Sequence, residues 1–156
     1  MGKASGMNPM PDSAPSAGWF EGREHLLPVR VYYEDTDFTG VVYHANYVRY
    51  FERGRSDFLR AIGTEHTAMR TLDTAFVVMK LAIQFVRPAR IDDALLVRTS
   101  YDTARGPRLV VHQRIERAGE VLTTAEVEAA CIHLDGRPRR APPELAERIR
   151  PYLLPA

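Results

Sequence analysis

Tyr47, Tyr50, Phe51, Gly54, Phe58 and Ile62 recur at steps of three and four residues. That spacing draws one apolar stripe down a helix of about 16 residues. Asn46 suits its N-cap and Gly63 the position just past its end. Gly54 falls on the stripe in mid-helix, where glycine costs about 1 kcal/mol relative to alanine. The compensation it predicts is close approach of the helix to a sheet. Four aromatic rings on one helical face also demand a broad apolar cover, and the rest of the chain must supply it.

The cover is legible as strands. Val29, Val31 and Tyr33 alternate with Arg30 and Tyr32 before the helix, the period of a strand. After a short helical segment near 65–71, four long alternating runs follow: 76–86 through Leu81, Ile83 and Phe85; 95–101; 109–115; and 121–134. Ala118-Gly119 and Asp135-Gly136 are turn signals. Pro142 and Pro143 suit the first turn of a last helix ending near Leu153. Short links favour antiparallel pairing. The fold class is therefore α+β, an antiparallel sheet on a long helix. The second face of the sheet is expected to stay apolar and to pack on another subunit.

Composition narrows the function. A chain of 156 residues suits one domain. Residues 1–24 are rich in Gly, Ser, Ala and Pro and are expected to form a disordered tail, with the domain at 25–156. Lys and Arg total 21 against 20 Asp and Glu, a formal net charge of +1; a dedicated nucleic-acid binder shows a clear basic excess. No apolar run reaches the roughly 18 residues of a membrane span, and the first residues lack the apolar core of a secretory signal. One cysteine, Cys131, excludes a disulfide or a cysteine-rich zinc site within one chain. These features predict a cytoplasmic protein without a membrane span.

The chemistry concentrates in Val31 to Arg55, VYYEDTDFTGVVYHANYVRYFERGR. It sets acids, a histidine and tyrosines around a strand-to-helix junction. The free N–H groups of a first helical turn favour developing negative charge, and an acid just before them can act on a substrate bound there. Asp37 equally suits a turn or cap. His44 equally suits a cap, and Tyr33 a core position. Asp35 reads as a structural turn residue, and Glu52 with Arg55 as an i,i+3 ion pair. His112 and His133 lack a third metal ligand at plausible spacing, so no metal site is expected. Cys131, among Ala129, Ala130 and Ile132, reads as a small buried hydrophobe.

The run Tyr33-x-Asp35-Thr36-Asp37-x-x-Gly40-Val41-Val42-Tyr43-His44-x-x-Tyr47, followed by Glu52-x-x-Arg55, resembles the hotdog-fold acyl-CoA thioesterases. Within them it is most similar to the 4-hydroxybenzoyl-CoA thioesterase type and its Tol–Pal-associated, YbgC-like members. The resemblance implies a single hotdog domain, a five-stranded sheet wrapped around one long helix. It implies a homodimer or homotetramer with sites at the subunit interface. It implies hydrolysis of an acyl-CoA thioester to a carboxylic acid and free CoA, without a metal or other cofactor. Asp37 takes the catalytic position, aided by His44 and Tyr33, and the backbone at Tyr43 and His44 the oxyanion site. Arg105, Arg108 and Arg137 fall in loops near which the family holds the CoA nucleotide; as solvated loop arginines they would need no such role. Three rivals remain: a non-catalytic acyl-CoA or acyl carrier protein binding module of the same fold; a hotdog dehydratase, which needs a differently placed acid and histidine; and, implied by the resemblance alone, an envelope-associated role with protein partners.

Overall fold

A computed structural model describes residues 15, 17–102 and 106–155. Six strands form one antiparallel sheet: β1 Trp19–Glu21, β2 Glu24–Arg30, β3 Ala75–Phe85, β4 Ala94–Tyr101, β5 Arg108–Arg117 and β6 Glu120–Ile132, in spatial order β1-β2-β4-β5-β6-β3. Helix α1, His44–Ala61, lies on the sheet, and two short helices, α2 His66–Thr71 and α3 Pro143–Ile149, border it.

The core forms where the two periods meet. Tyr47, Tyr50, Phe51 and Phe58 on α1 are buried against Val97, Val111, Ile115 and Val127, the inward residues of β4, β5 and β6. Gly54 is the point of closest approach: a β-carbon there would stand 2.8 Å from Val97 Cγ1 and 2.8 Å from Thr99 Oγ1. Helix and sheet are also stitched together. Gln113 Nε2 donates to the Phe51 carbonyl and to Thr99 Oγ1, both at 2.9 Å. Arg55 pairs with Glu52 at 2.7 Å and donates to Gln113 Oε1 at 2.9 Å.

Four expectations need correction. The sheet has six strands rather than five, while the two short helices expected near 65–71 and after Pro142 are present as α2 and α3. The extra strand comes from the stretch read as tail: β1 pairs with β2 through Phe20↔His25, and the Phe20 ring packs 5.0 Å from Phe58 and 4.2 Å from Tyr152. Three residues are too few to display a period, and the ring's partners lie far along the chain.

Helix α1 starts at His44, with Tyr43 as its N-cap, and Asn46 sits inside the first turn. The Asn46 amide donates to the Asp35 carbonyl at 2.7 Å instead of capping. The strand expected through Tyr33 ends at Arg30, because Tyr33–Asp35 coils into a 3₁₀ turn.

Finally, the outer face of the sheet is polar. Arg98 bonds Glu24 at 2.7 Å and Glu116 at 2.6 Å, and Arg114 bonds Glu24 at 2.8 Å. Exposed apolar side chains line the β3 edge, with Val78, Met79, Leu81, Phe85 and Val86, and others, including Tyr33 and Phe38, stand on the segment between β2 and α1. A register shift between Val78 and Lys80 bends that edge.

Candidate active site

The segment between β2 and α1 is a small hairpin set against the helix start. Thr36 pairs with Val42 across it, and Val41 pairs with Arg90. Asp37 opens its turn: Gly40 N–H donates to the Asp37 carbonyl at 3.0 Å, and Asp37 N–H to the Val41 carbonyl at 2.9 Å. Gly40, at φ +82°, takes the left-handed position such a turn requires. The sequence Asp-x-x-Gly thus carries both a turn and an acid.

The Asp37 carboxylate is held by the turn it opens. Its Oδ1 accepts from Thr39 N–H at 2.8 Å and from Thr39 Oγ1 at 2.5 Å. The Thr39 hydroxyl first, and then the Thr39 N–H, keep this carboxyl below its ordinary pKa. The neighbouring acid has a different task. Asp35 is buried; its carboxylate accepts from Tyr32 N–H at 2.8 Å, and its carbonyl accepts from Tyr43 N–H at 2.9 Å and from Asn46. Asp35 therefore locks the hairpin onto the first turn of α1. Tyr50 is buried nearby; burial first, and then the Asp35 carboxylate, hold its phenol protonated. Tyr47 accepts from Ala89 N–H at 2.9 Å and fastens the strand-end loop to the helix.

Because Tyr43 N–H is bonded to Asp35, only His44 of the two residues assigned to the oxyanion position presents a backbone donor without a partner among the described residues. The His44 side chain is exposed, its ring 4.5 Å from that of Tyr43. Beside it opens a cleft of about 280 Å³, lined by Val42, Tyr47, Phe85 and Val86. Asp37, His44 and this cleft occupy one end of the molecule. Tyr33 is less engaged: its ring is 83% exposed and shares no hydrogen bond with Asp37 or His44 among the described residues. Sequence reasoning missed the anchoring by Asn46 and Tyr47. Polar groups on the buried side of the helix stripe were the available signal.

The arginines stand elsewhere. Arg105 lies outside the described residues. Arg108 pairs in register with Ala130, which pairs with Val77 near the start of β3. Arg137 lies beside His133, where the Ile132↔Pro138 bridge adjoins Ala75. The hairpin of Asp37 contacts 89–91, just past the end of β3. The 11 residues of β3 span about 33 Å at roughly 3.3 Å per residue. Within one chain, Arg108 and Arg137 are thus a strand length away from Asp37. Arg137 is paired with Asp135 at 2.7 Å, and Arg108 lies 3.9 Å from Glu128.

Among the described residues, no cluster of three or more His, Cys, Asp or Glu is placed to hold a metal ion, and no helix is long and apolar enough to cross a membrane. His112 faces Asp102 and Glu126, and His133 Nδ1 lies 2.9 Å from Asp73, so the two histidines serve separate contacts. Cys131 is buried, and burial pushes its thiol pKa up.

Comparison with known proteins agrees with this architecture. The model of the thioesterase-like superfamily matches residues 31–149. The acyl-CoA thioesterase YbgC of Haemophilus influenzae is 44% identical over 109 residues, 69% of this chain and 80% of that protein. The acyl-CoA thioester hydrolase YbgC of Escherichia coli O157:H7 is 42% identical over 125 residues, 79% of this chain and 93% of that protein. A probable thioesterase from Bartonella henselae superposes with a TM-score of 0.74 at 44% identity, covering 76% of this chain and 99% of that one. A helix on an antiparallel sheet, an acid-bearing hairpin at the helix start and these similarities converge: the chain belongs to the thioesterase-like superfamily, among its YbgC-like members.

Proposed function

We propose that the chain is an acyl-CoA thioester hydrolase whose reacting carboxylate is Asp37. The observation that carries this is the hairpin that joins an ionised Asp37 to the start of α1, where the His44 N–H has no partner among the described residues. Relatives named for acyl-CoA thioester hydrolysis, at 42–44% identity, support the substrate class. The thioester oxygen takes the His44 N–H, aided by the positive end of the helix, as the carbonyl carbon becomes tetrahedral. Asp37 either draws a proton from the attacking water or attacks the carbonyl itself. With Asp37 as base, the water oxygen bonds to the carbonyl carbon, the carbon–sulfur bond breaks and the proton taken by Asp37 passes to the departing sulfur. With Asp37 as nucleophile, carbon–sulfur cleavage leaves an acyl anhydride on Asp37, which water hydrolyses, restoring the carboxylate and supplying the thiol proton. Both routes give a carboxylate and free CoA. The His44 side chain orients water or Asp37 from the same end of the helix. Tyr33, so exposed, joins the site only when substrate or a second subunit covers it. Acyl-CoA chemistry and the single cysteine suit the cytoplasm.

The site is completed by a second copy of the chain. The exposed apolar edge at β3 supports an antiparallel pairing of β3 with its counterpart, continuing the sheet across the dimer. Antiparallel pairing carries the start of one β3 to the end of the other. The partner's Arg108 and the partner's Arg137 then stand by this chain's Asp37, where arginine forks can hold the CoA phosphates. This resolves the strand-length separation within one chain. The test is thiol release from a panel of short-chain, long-chain and aromatic acyl-CoA thioesters. Turnover that disappears in Asp37→Asn while CoA-thioester binding persists supports the reading. Binding without turnover in the unaltered protein would replace it with a non-catalytic acyl-binding module.

A further inference from the structure

A cleft of about 710 Å³ runs between α1 and strands β2 and β4. Val48, Glu52 and Arg55 line a groove beside Val78 and Leu81 of β3, Asp57 and Arg60 line this cleft, and Arg53 stands between the two and borders both. Its floor is apolar, with Leu27, Val29 and Leu95. Its rim is basic, with Arg30, Arg53 and Arg60.

The charges on this rim are not compensated as they are elsewhere. On the outer sheet face, Arg98 and Arg114 are neutralised by Glu24 and Glu116. Among the described residues, none of the three rim arginines pairs with a carboxylate. Arg30 donates to the Asp92 carbonyl at 2.8 Å, and the Arg53 guanidinium lies 6.0 Å from the Tyr50 ring centre. The acid with the right spacing is Asp57, four residues from Arg53 and three from Arg60. It is turned under the helix instead: its Oδ2 accepts from Gly18 N–H at 2.8 Å and lies 3.0 Å from Nε2 of the fully buried His25. Three guanidinium groups therefore border an apolar trough whose one carboxylate is already engaged. Arg53 and Arg60 are two helical turns apart, about 10.5 Å along the axis, within the combined reach of two long side chains.

We propose that this cleft binds an amphipathic organic anion, with its apolar body on Leu27, Val29 and Leu95 and its carboxylate or phosphate head between Arg53 and Arg60. The volume falls in the range of small-molecule sites, roughly 300–1,000 Å³. Arginine forks match the geometry of either head group. The cleft meets the segment between β2 and α1 at Tyr32 but is lined by neither Asp37 nor His44, so it does not rest on the thioesterase reading.

The test is calorimetric titration of the full chain with decanoate, decyl phosphate and, as a neutral analogue, decanol, each with and without free CoA. Saturable binding of decanoate or decyl phosphate, at least tenfold tighter than decanol and undisturbed by CoA, is expected. The stronger of the two anions identifies the source, a free carboxylic acid or a phosphate ester. The double variant Arg53→Gln/Arg60→Gln should bind at least tenfold more weakly while acyl-CoA turnover stays as in the unaltered protein. Equal binding of decanol, unchanged affinity in the double variant, displacement by CoA, or no saturable binding overturns the proposal. A double variant that binds no less anion but loses mass in light scattering also overturns it, and makes the cleft a contact between copies.

Discussion

Gly54 and Val97 meet where helix α1 presses against β4, and a β-carbon on Gly54 would lie 2.8 Å from Val97 Cγ1. The helix therefore keeps its glycine at some cost to its own propensity. Gly54→Ala gains about 1 kcal/mol of helix propensity but forces apart a packed contact, which costs about 1–3 kcal/mol. The contact on Thr99 Oγ1, also at 2.8 Å, adds to that loss. Net destabilisation is expected, read as a lower urea midpoint at unchanged slope. A more stable variant would show that the helix can lift off the sheet freely.

Asp37→Asn keeps the shape of the side chain and the turn but removes its charge. A fall in kcat of about 10²–10⁴-fold is expected, with thermal stability nearly intact and CoA-thioester binding retained. Near-normal turnover would remove Asp37 from the chemistry.

Thr39 is expected to set the acid side of the pH profile. Its hydroxyl and N–H stabilise the charged Asp37, so the folded pKa lies below the ordinary value. Activity that needs ionised Asp37 is then present above that lowered pKa and is lost as pH falls through it. Thr39→Ala removes the hydroxyl bond and should move the acid limb of kcat/KM to higher pH. An unmoved limb would mean that the profile reports another group.

Sites completed across subunits can be rescued by mixing. Arg108→Ala/Arg137→Ala should raise KM with little change in kcat, because phosphate contacts are alike in ground and transition states. Co-refolding it with Asp37→Asn gives mixed dimers in which one site carries both defects and the other carries none. Activity at low substrate should therefore rise above that of either parent. Mixtures no better than the average of their parents would place the arginines and Asp37 in one subunit, or leave the arginines without a role.

His25 gives a pH dependence to stability rather than to activity. Burial lowers its pKa, against the opposing pull of Asp57. The folded chain then binds this proton less readily than the unfolded chain. Stability is full above the unfolded value near 6.5 and declines as pH falls from there to the lowered folded value. His25→Phe should flatten the change in melting temperature between about pH 7 and pH 5; a slope as steep as before would assign it to other groups.

Much of this was readable from residue periods. The α1 stripe, the glycine at 54, the Gly63 terminus and the four later strands all declare themselves locally, because each repeats or breaks a spacing. Features decided by distant partners did not. Phe20 is held by Phe58 and Tyr152, far along the chain, so β1 looked like tail. The helix start at Tyr43 has no side-chain cap to announce it, while Asn46, a good capping residue, is spent on the Asp35 carbonyl. The acid-bearing turn was visible in Asp-x-x-Gly. The distance from Asp37 to Arg108 was not, because it depends on β3 lying at the edge beside β6.

The ion-pair ladder on the outer sheet has a kinetic consequence. Glu24 reaches Arg98 and Arg114, 74 and 90 positions later in the chain, and His25 pairs in register with Thr99. None of these contacts can form until the intervening polypeptide has looped back, so the entropy of closure precedes their reward. Chains dominated by such long-range pairings fold in milliseconds to seconds rather than microseconds. While they do so, the apolar residues of β3 stand uncovered, and a nascent chain of this protein is most vulnerable to aggregation in that interval.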